Sequence, residues 1–366
     1  MLFAYTYVPN AMEQMQEFIN FIFYEVWCKA PAVEYGIHLF EPSVPLHTVM
    51  KELNRRDLAG HLKTGSGKWF YEAINNIFNE FKELNPNEVE EYRRCYQSNN
   101  QIEDLCSNNH GASPVRYADL NTSKIDLNKK IEDFFKNLYS SGFFGLSFVV
   151  DALGSDLGAY YIDFIRANST GCCPFCGLLP IDNEFDPTRE AFDHFLPKSK
   201  YPFNSVNLKN LAPSCNKCNS GNKRDKDPLL SIDGDRRKAF YPFSTDGINT
   251  HITIDVLSED WTKTRPTDFT ITISSGTHPE EVETWNELFR IKDRYSAKCC
   301  DNGGGLYWRK RILEESENYG LSTQAMLDAE IKCSRANPWT ESNFLKSAFL
   351  EGCQRAGLFD TSHGDR

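Results

Sequence analysis

The sequence predicts an α+β protein in which a short cysteine-rich module separates a mainly helical N-terminal region from a mixed C-terminal region. Apolar residues recur at helical spacing through much of the first part of the chain. Two Cys-x-x-Cys pairs lie near its middle, and the last third contains two segments in which apolar and polar residues alternate as in strands. These observations divide the chain into residues 1–165, 166–235 and 236–366.

Helical spacing in the N-terminal region predicts helices over Ala11–Lys29, Trp69–Leu84 and Ile125–Leu138. A further helix is expected to begin after Asn85, because proline and then acidic residues follow it. The polar stretch Asn99–Ser113 predicts a loop.

Two segments need separate interpretation. The apolar stretch Phe143–Tyr161 predicts a helix that packs against the central module. The segment Lys63–Lys68 (KTGSGK) contains part of a phosphate-binding loop, but Leu62 and Trp69 stand where that loop requires Gly and Ser or Thr. We therefore interpret it as a turn that opens the next helix.

The C-terminal region begins with Asp225–Lys238, whose mixed charges predict a solvated connection. Alternation of apolar and polar residues then predicts two strands, each with one buried face. Helices are predicted after them, the first from its proline start and acidic first turn. The predicted strands are His251–Leu257 and Asp268–Ser274, and the predicted helices are Pro279–Lys298, Leu306–Tyr319 and Thr323–Ser334.

The central module contains the pairs Cys173/Cys176 and Cys215/Cys218. A two-residue gap lets both sulfurs of a pair reach one ion about 2.3 Å away, so four thiolates in two such turns predict one structural Zn²⁺ site. An iron–sulfur cluster is the alternative for four cysteines. Cys172 could take the place of Cys173, although Cys173 has the required spacing and a glycine after its partner.

Composition agrees with a folded, intracellular protein. Of 366 residues, 40% are apolar and 13% aromatic, which is enough to build cores. Twelve cysteines are too few for a disulfide scaffold, and paired Cys-x-x-Cys turns favour metal in a reducing cytoplasm. We recognise neither a secretory signal nor an apolar run that would span a membrane, so no membrane partner is expected.

The net charge of −11 opposes contact with phosphates, but charge is unevenly distributed. From Pro197 to Arg224 the chain carries six basic residues and no acidic one. Such a local basic stretch predicts binding to the backbone of a nucleic acid. The six residues are Lys198, Lys200, Lys209, Lys217, Lys223 and Arg224.

Between and after the cysteine pairs lie Asp193-His194, Asn210 and Asn219. Together with the cysteines, and with the words His-Phe-Leu-Pro-Lys-Ser-Lys and Lys-Asn-Leu-Ala-Pro-Ser-Cys, this order resembles the HNH endonucleases of the ββα-metal nuclease superfamily. The resemblance covers roughly residues 171–228 and has Asn in place of His at the third position. It implies a zinc-stapled ββα-metal module.

The resemblance also implies roles for these residues. His194 would be the general base, and Asp193 with Asn219 would hold one catalytic Mg²⁺ or Mn²⁺, which prefers oxygen ligands. Asn210 would brace the hairpin and orient His194. Asn222 is the competing choice for the amide ligand.

Three lysines are candidates for contacts with substrate phosphate. Lys223 lies four residues beyond Asn219, on the same face of a helix, and Lys198 and Lys200 follow the Asp-His pair. The predicted function is metal-dependent cleavage of DNA, with RNA cleavage or a catalytically idle zinc module that binds nucleic acid or protein as alternatives. The resemblance extends to effectors of bacterial anti-phage defence or restriction, in which the N-terminal region would dock a sensor or ATPase partner.

Overall fold

The computed structural model describes residues 1–109, 111–258 and 264–359, and its fold is α+β. Within these residues the chain forms thirteen α-helices and two separate antiparallel pairs of strands. The helices before the module are α1 Gln14–Phe21, α2 Val44–Leu58, α3 Gly65–Lys82, α4 Pro86–Asn100, α5 Ile102–Cys106, α6 Ile125–Leu138, α7 Ser147–Leu153 and α8 Leu157–Ala167. The helices after it are α9 Pro279–Phe289, α10 Ile291–Cys299, α11 Gly305–Tyr319, α12 Thr323–Ala336 and α13 Asn343–Arg355. The strands are β1 Phe192–His194, β2 Leu211–Pro213, β3 His251–Val256 and β4 Phe269–Ser274.

The predicted N-terminal helices are present. Helix α6 has the predicted bounds, because its apolar residues recur on one face and all of them are buried except the first, Ile125. Helix α4 begins at Pro86, where the Asn85 side chain accepts hydrogen bonds from the backbone of Asn87 and Glu88. Helix α3 begins at Gly65, so the KTGSGK segment opens a helix as predicted.

The predicted loop Asn99–Ser113 is wrong for its first half. Helix α4 continues to Asn100, and α5 follows because Ile102, Leu105 and Cys106 are buried in the core. Most residues of the segment are polar, so its few apolar residues did not stand out as a helix pattern. His110, which belongs to the same predicted loop, lies outside the described residues.

Two predicted single helices are each two helices. Phe143–Tyr161 is interrupted at Gly154, which adopts a left-handed φ of 75° and ends α7, and Asp156 then caps α8. Pro279–Lys298 is interrupted at Arg290, whose φ is 53°. A glycine in the sequence indicates a possible helix break, because glycine readily adopts a positive φ. An arginine with a positive φ cannot be recognised from the sequence.

The C-terminal strands are confirmed, and they pair antiparallel from His251 opposite Ser274 to Val256 opposite Phe269. Helix α13 was not predicted, yet it covers β3 closely. A side chain at Gly352 would clash with the Ile254 carbonyl oxygen, and Arg355 donates to the same oxygen at 2.9 Å.

Both flanking regions pack on the central module. Tyr160 of α8 stacks on Phe192 of β1 with ring centroids 5.4 Å apart, so the predicted packing of this segment is confirmed. The predicted solvated connection Asp225–Lys238 is partly wrong, because Asp227 and Arg237 are buried. Tyr201 donates to Asp227 at 2.7 Å, and Arg237 pairs with Glu287 of α9. None of the described helices is long and apolar enough to cross a membrane.

Candidate metal centre and the adjoining hairpin

The four cysteines predicted to bind zinc converge in the structure. The sulfurs of Cys173, Cys176, Cys215 and Cys218 all lie within 4.8 Å of one another and are buried. Those of Cys176 and Cys215 are 3.9 Å apart. A tetrahedral Zn²⁺ with Zn–S bonds of about 2.3 Å separates its sulfurs by about 3.8 Å. The cluster therefore fits a single metal ion such as zinc.

Tight turns bring each pair of sulfurs together. In the first turn, the Cys176 and Gly177 amides both donate to the Cys173 carbonyl, at 3.2 and 2.7 Å. Gly177 has a φ of 65°, and a side chain there would clash with Phe344 and Leu2. In the second turn, the amides of Cys218 and Asn219 donate to the Cys215 carbonyl.

Cys172 lies outside the cluster. Its backbone forms an isolated β-bridge with Pro180 across the first turn, and burial raises the pKa of its thiol to about 12. The cluster uses Cys173, which was the preferred choice of the two.

A cation from the C-terminal region contacts the thiol cluster. Arg294 of α10 donates from Nη1 to the Cys218 sulfur at 3.2 Å and to the Phe289 carbonyl at 3.4 Å. Burial lowers the pKa of this guanidinium, but the neighbouring sulfurs, Cys218 first, raise it by more. Four thiolates with one bound Zn²⁺ would carry a net charge of −2, and Arg294 would offset part of it.

The hairpin between the two turns consists of β1 and β2, paired antiparallel with Asp193 opposite Ala212 and His194 opposite Leu211. Asn210 is fully buried and ties the two ends of the connecting loop together. Its Oδ1 accepts from the Leu196 amide at 2.7 Å, and its Nδ2 donates to the Leu196 carbonyl at 3.0 Å and to Asn204. These contacts agree with the bracing role implied by the resemblance.

His194 is half-buried at the end of β1. Its Nε2 lies 2.8 Å from the Ser205 carbonyl oxygen, which can only accept a hydrogen bond. Nε2 must therefore carry the proton, and Nδ1 keeps its lone pair in the neutral ring. The pKa of His194 is lowered to about 3, mainly by loss of hydration and also by the charges of Lys198 and Lys223, while the hydrogen bond to Ser205 opposes the shift. The imidazole is thus neutral near pH 7.

Asp193 forms a buried ion pair with Lys223. The Lys223 ammonium lies 3.1 Å from each carboxylate oxygen of Asp193, and it donates to the His194 carbonyl at 2.7 Å. Neither side chain is appreciably exposed. Burial raises the pKa of Asp193, and the ammonium opposes that rise. Lys223 therefore contacts Asp193 in this structure, and its predicted contact with a substrate phosphate stays a prediction.

Asn219 and Lys223 belong to a π-helical turn, Lys217–Lys223. Its wide hydrogen bond runs from the Arg224 amide to the Asn219 carbonyl at 2.7 Å. The Asn219 side chain is half-buried, whereas Asn222 is turned back to donate to the Lys217 carbonyl. This leaves Asn219 as the better amide candidate.

Asp193 has one carboxylate oxygen without a well-aligned hydrogen bond. Asp193 Oδ2 is buried, and although the Lys223 ammonium is near it, no hydrogen bond of good geometry reaches this oxygen. A carboxylate and an amide oxygen are ligands that Mg²⁺ and Mn²⁺ accept. That Asp193 and Asn219 bind such an ion stays a prediction.

Lys198 and Lys200 lie in the loop after β1, and both are half-buried. Lys198 turns back to helix α6, where its ammonium donates to the Lys136 carbonyl at 2.8 Å and to the Ser140 hydroxyl at 3.0 Å. The Lys200 carbonyl accepts from the Tyr117 amide at 3.0 Å, which ties the loop to the N-terminal region.

Sequence reasoning did not identify Tyr139 or Arg294 as neighbours of the site. Tyr139 directly follows α6, and its ring lies edge-on to His194 with centroids 4.8 Å apart. Both residues come from the flanking regions, far from the module in sequence. No local motif marks them, because only packing of the flanks brings them there.

Comparison with known proteins yields a partial match. The chain is 36% identical over 83 residues to the protein named "Protein ea31" of Escherichia phage lambda. The aligned segment covers 23% of this chain and 24% of that relative, so this chain matches about a quarter of the relative's length. No family model matches the chain, and no solved structure matches it.

Proposed function

We propose that this protein is a metal-dependent HNH-type endonuclease that hydrolyses phosphodiester bonds of DNA. One observation carries the proposal: a neutral histidine with a fixed tautomer ends the first strand of a short hairpin, directly after a buried aspartate, and four clustered cysteines flank that hairpin in sequence. Phosphodiester hydrolysis needs a general base that activates water and a divalent cation that relieves charge on the phosphate. A histidine beside a carboxylate can provide the base and a ligand for the cation.

In this proposal His194 is the general base. The Ser205 carbonyl holds the Nε2 proton, so Nδ1 is the atom that accepts a proton from the attacking water. Asn210 holds the loop that carries Ser205, through its bonds to Leu196 and Asn204. These hydrogen bonds, together with the one from His194 to the Ser205 carbonyl, keep the imidazole in one orientation. A backbone carbonyl thus orients the base here, in place of a carboxylate side chain.

Asp193 and Asn219 hold the catalytic cation in this proposal. When bound, a divalent cation would supply relief of charge on the phosphoryl oxygens and on the departing oxygen. The zinc cluster has a different task, because it joins the start of the module to the turn that carries Asn219.

The test uses purified, zinc-loaded protein on supercoiled plasmid with Mg²⁺ or Mn²⁺. We expect cleavage by the wild type and a loss of at least about 100-fold in His194→Ala, because general bases contribute about that much or more. Zinc content and unfolding midpoint of the variant should match the wild type. Undiminished cleavage by His194→Ala would remove this residue from the mechanism.

The same purified proteins also test the two alternatives, an RNase and a catalytically idle zinc module. Labelled RNA and DNA of one sequence distinguish an RNase from a DNase. Absence of any cleavage, together with retained nucleic-acid binding, would favour an idle zinc module. The roles in anti-phage defence and in docking a sensor or ATPase stay predictions.

A further inference from the structure

The neighbourhood of His194 contains a residue from outside the module. Tyr139, at the end of α6, places its ring edge-on to the imidazole at 4.8 Å. Tyr139 is itself half-buried, so its ring forms one wall of the surface beside the base. Whatever approaches His194 from this side meets Tyr139 as well.

Lys198 stands on the same wall. Its ammonium lies 5.9 Å from the centre of the Tyr139 ring, anchored by the Lys136 carbonyl and the Ser140 hydroxyl. An ammonium has three hydrogen-bond donors, and two have partners among the described residues. Both partners are uncharged, so the positive charge of Lys198 is held in place without being neutralised.

Arg189 contributes a second positive charge. It is exposed, and its guanidinium lies 6.0 Å from the centre of the Phe192 ring at the start of β1. Burial raises the pKa of Tyr139, and the positive charge of Arg189 opposes that rise. Lys198 and His194 thus lie against the Tyr139 ring, and Arg189 adds positive charge near the start of β1.

These two cations have no carboxylate partner. Within residues 1–109, 111–258 and 264–359, neither Lys198 nor Arg189 forms an ion pair, in contrast to Lys223 and Arg166. Lys223 pairs with Asp193, and Arg166 pairs with Glu184. In a chain of net charge −11, an anchored Lys198 beside the base and an exposed Arg189 at the start of the same strand favour an anionic ligand.

We infer that Tyr139, Lys198 and Arg189 form a phosphate-binding cleft that takes the nucleic-acid phosphate next to the one under attack. This rests on the proposed function and extends it, because it makes the N-terminal region part of the substrate interface. Lys198 and Arg189 contact the phosphate oxygens. Tyr139 is a positioning residue, whose ring holds His194 against the Ser205 carbonyl and separates the two cations.

The experiment measures binding of a short fluorescein-labelled DNA duplex by anisotropy, without added Mg²⁺ or Mn²⁺, at several salt concentrations. We expect Arg189→Gln and Lys198→Gln each to weaken binding about tenfold, as for a lost charged hydrogen bond. Each should also reduce the slope of log affinity against log salt by about one. Lys129→Gln removes an exposed charge from the outer part of α6 and should leave affinity unchanged.

Tyr139 is tested by turnover. Tyr139→Phe keeps the ring and should keep both kcat and affinity for DNA. Tyr139→Ala should lower kcat about tenfold with little change in affinity, because His194 loses the ring contact that positions it. The proposed cleft would be wrong if Lys129→Gln, Arg189→Gln and Lys198→Gln lost equal amounts of affinity for the duplex. It would also be wrong if none of the three variants lost affinity. These binding results do not depend on cleavage, so the cleft can fail while the nuclease proposal stands, and the reverse.

Discussion

At the scale of single residues, Asn210 illustrates how a buried polar side chain can shape a loop. It is fully buried, and both its amide nitrogen and its oxygen have partners on the loop between β1 and β2. Because buried polar groups cost free energy when they lack partners, only an amide of this length satisfies both the amide and the carbonyl of Leu196. That loop also carries the carbonyl that selects the His194 tautomer.

Asn210→Ala should therefore lower the free energy of unfolding by about 3 kcal/mol or more, since it removes several hydrogen bonds and strands the Leu196 amide and carbonyl. Urea unfolding of zinc-loaded protein measures this. Asn137→Ala, which removes an exposed amide on α6, is the control and should change it by no more than about 0.5 kcal/mol. Equal stability of the two variants would contradict the bracing role.

At the scale of elements, the π-helical turn Lys217–Lys223 connects the thiol cluster to the hairpin. Cys218 points into the cluster, and five residues later Lys223 reaches Asp193 and the His194 carbonyl. The π-helical turn is thus attached at two points. Lys223 joins it to β1 through the ion pair with Asp193, and Cys218 joins it to the first cysteine turn through the thiol cluster.

Lys223→Met should destabilise the protein by about 3–5 kcal/mol, because it leaves the Asp193 carboxylate buried without a counter-charge. The double variant Asp193→Asn with Lys223→Met should recover much of that loss, since no uncompensated charge remains. Urea unfolding of the wild type, both single variants and the double variant gives the coupling free energy. Additive losses would show that the pair is not coupled.

At the scale of the whole molecule, the module is enclosed by its flanks. The Leu2 amide donates to the Pro174 carbonyl, and Tyr5 donates to the Pro213 carbonyl. From the other side, Trp285 donates to the Phe175 carbonyl and Tyr295 to the Cys176 carbonyl. The backbone of the first cysteine turn and of β2 is therefore held by hydrogen bonds from both flanking regions.

The contact between Arg294 and Cys218 leads to a prediction about zinc. Arg294→Met should weaken zinc binding about tenfold to a hundredfold, the usual range for a lost outer contact to a metal ligand. A competition titration with a chromogenic chelator measures this, and Lys292→Gln on the exposed face of the same helix is the control. Unchanged zinc affinity in Arg294→Met would show that the cluster does not need this charge.

Prediction from the sequence succeeded where the signal is local. The Cys-x-x-Cys spacing, the period of α6, the alternation of β3 and β4 and the cap at Asn85 each depend on neighbours within a few residues. It failed at the left-handed Arg290, at α5 and at α13. There the decisive factor was packing against distant parts of the chain, which outweighs local preference.

The sequence by itself determined that four cysteines would form two turns able to share one ion, and a family resemblance implied that a short hairpin would carry Asp193 and His194 between them. Only the tertiary structure decided that Lys223 turns inward to Asp193, and that Tyr139 and Arg294 reach the site from either flank. The physical reason is that residue period shows which face of an element is buried. It does not show which distant side chain will pack against that face.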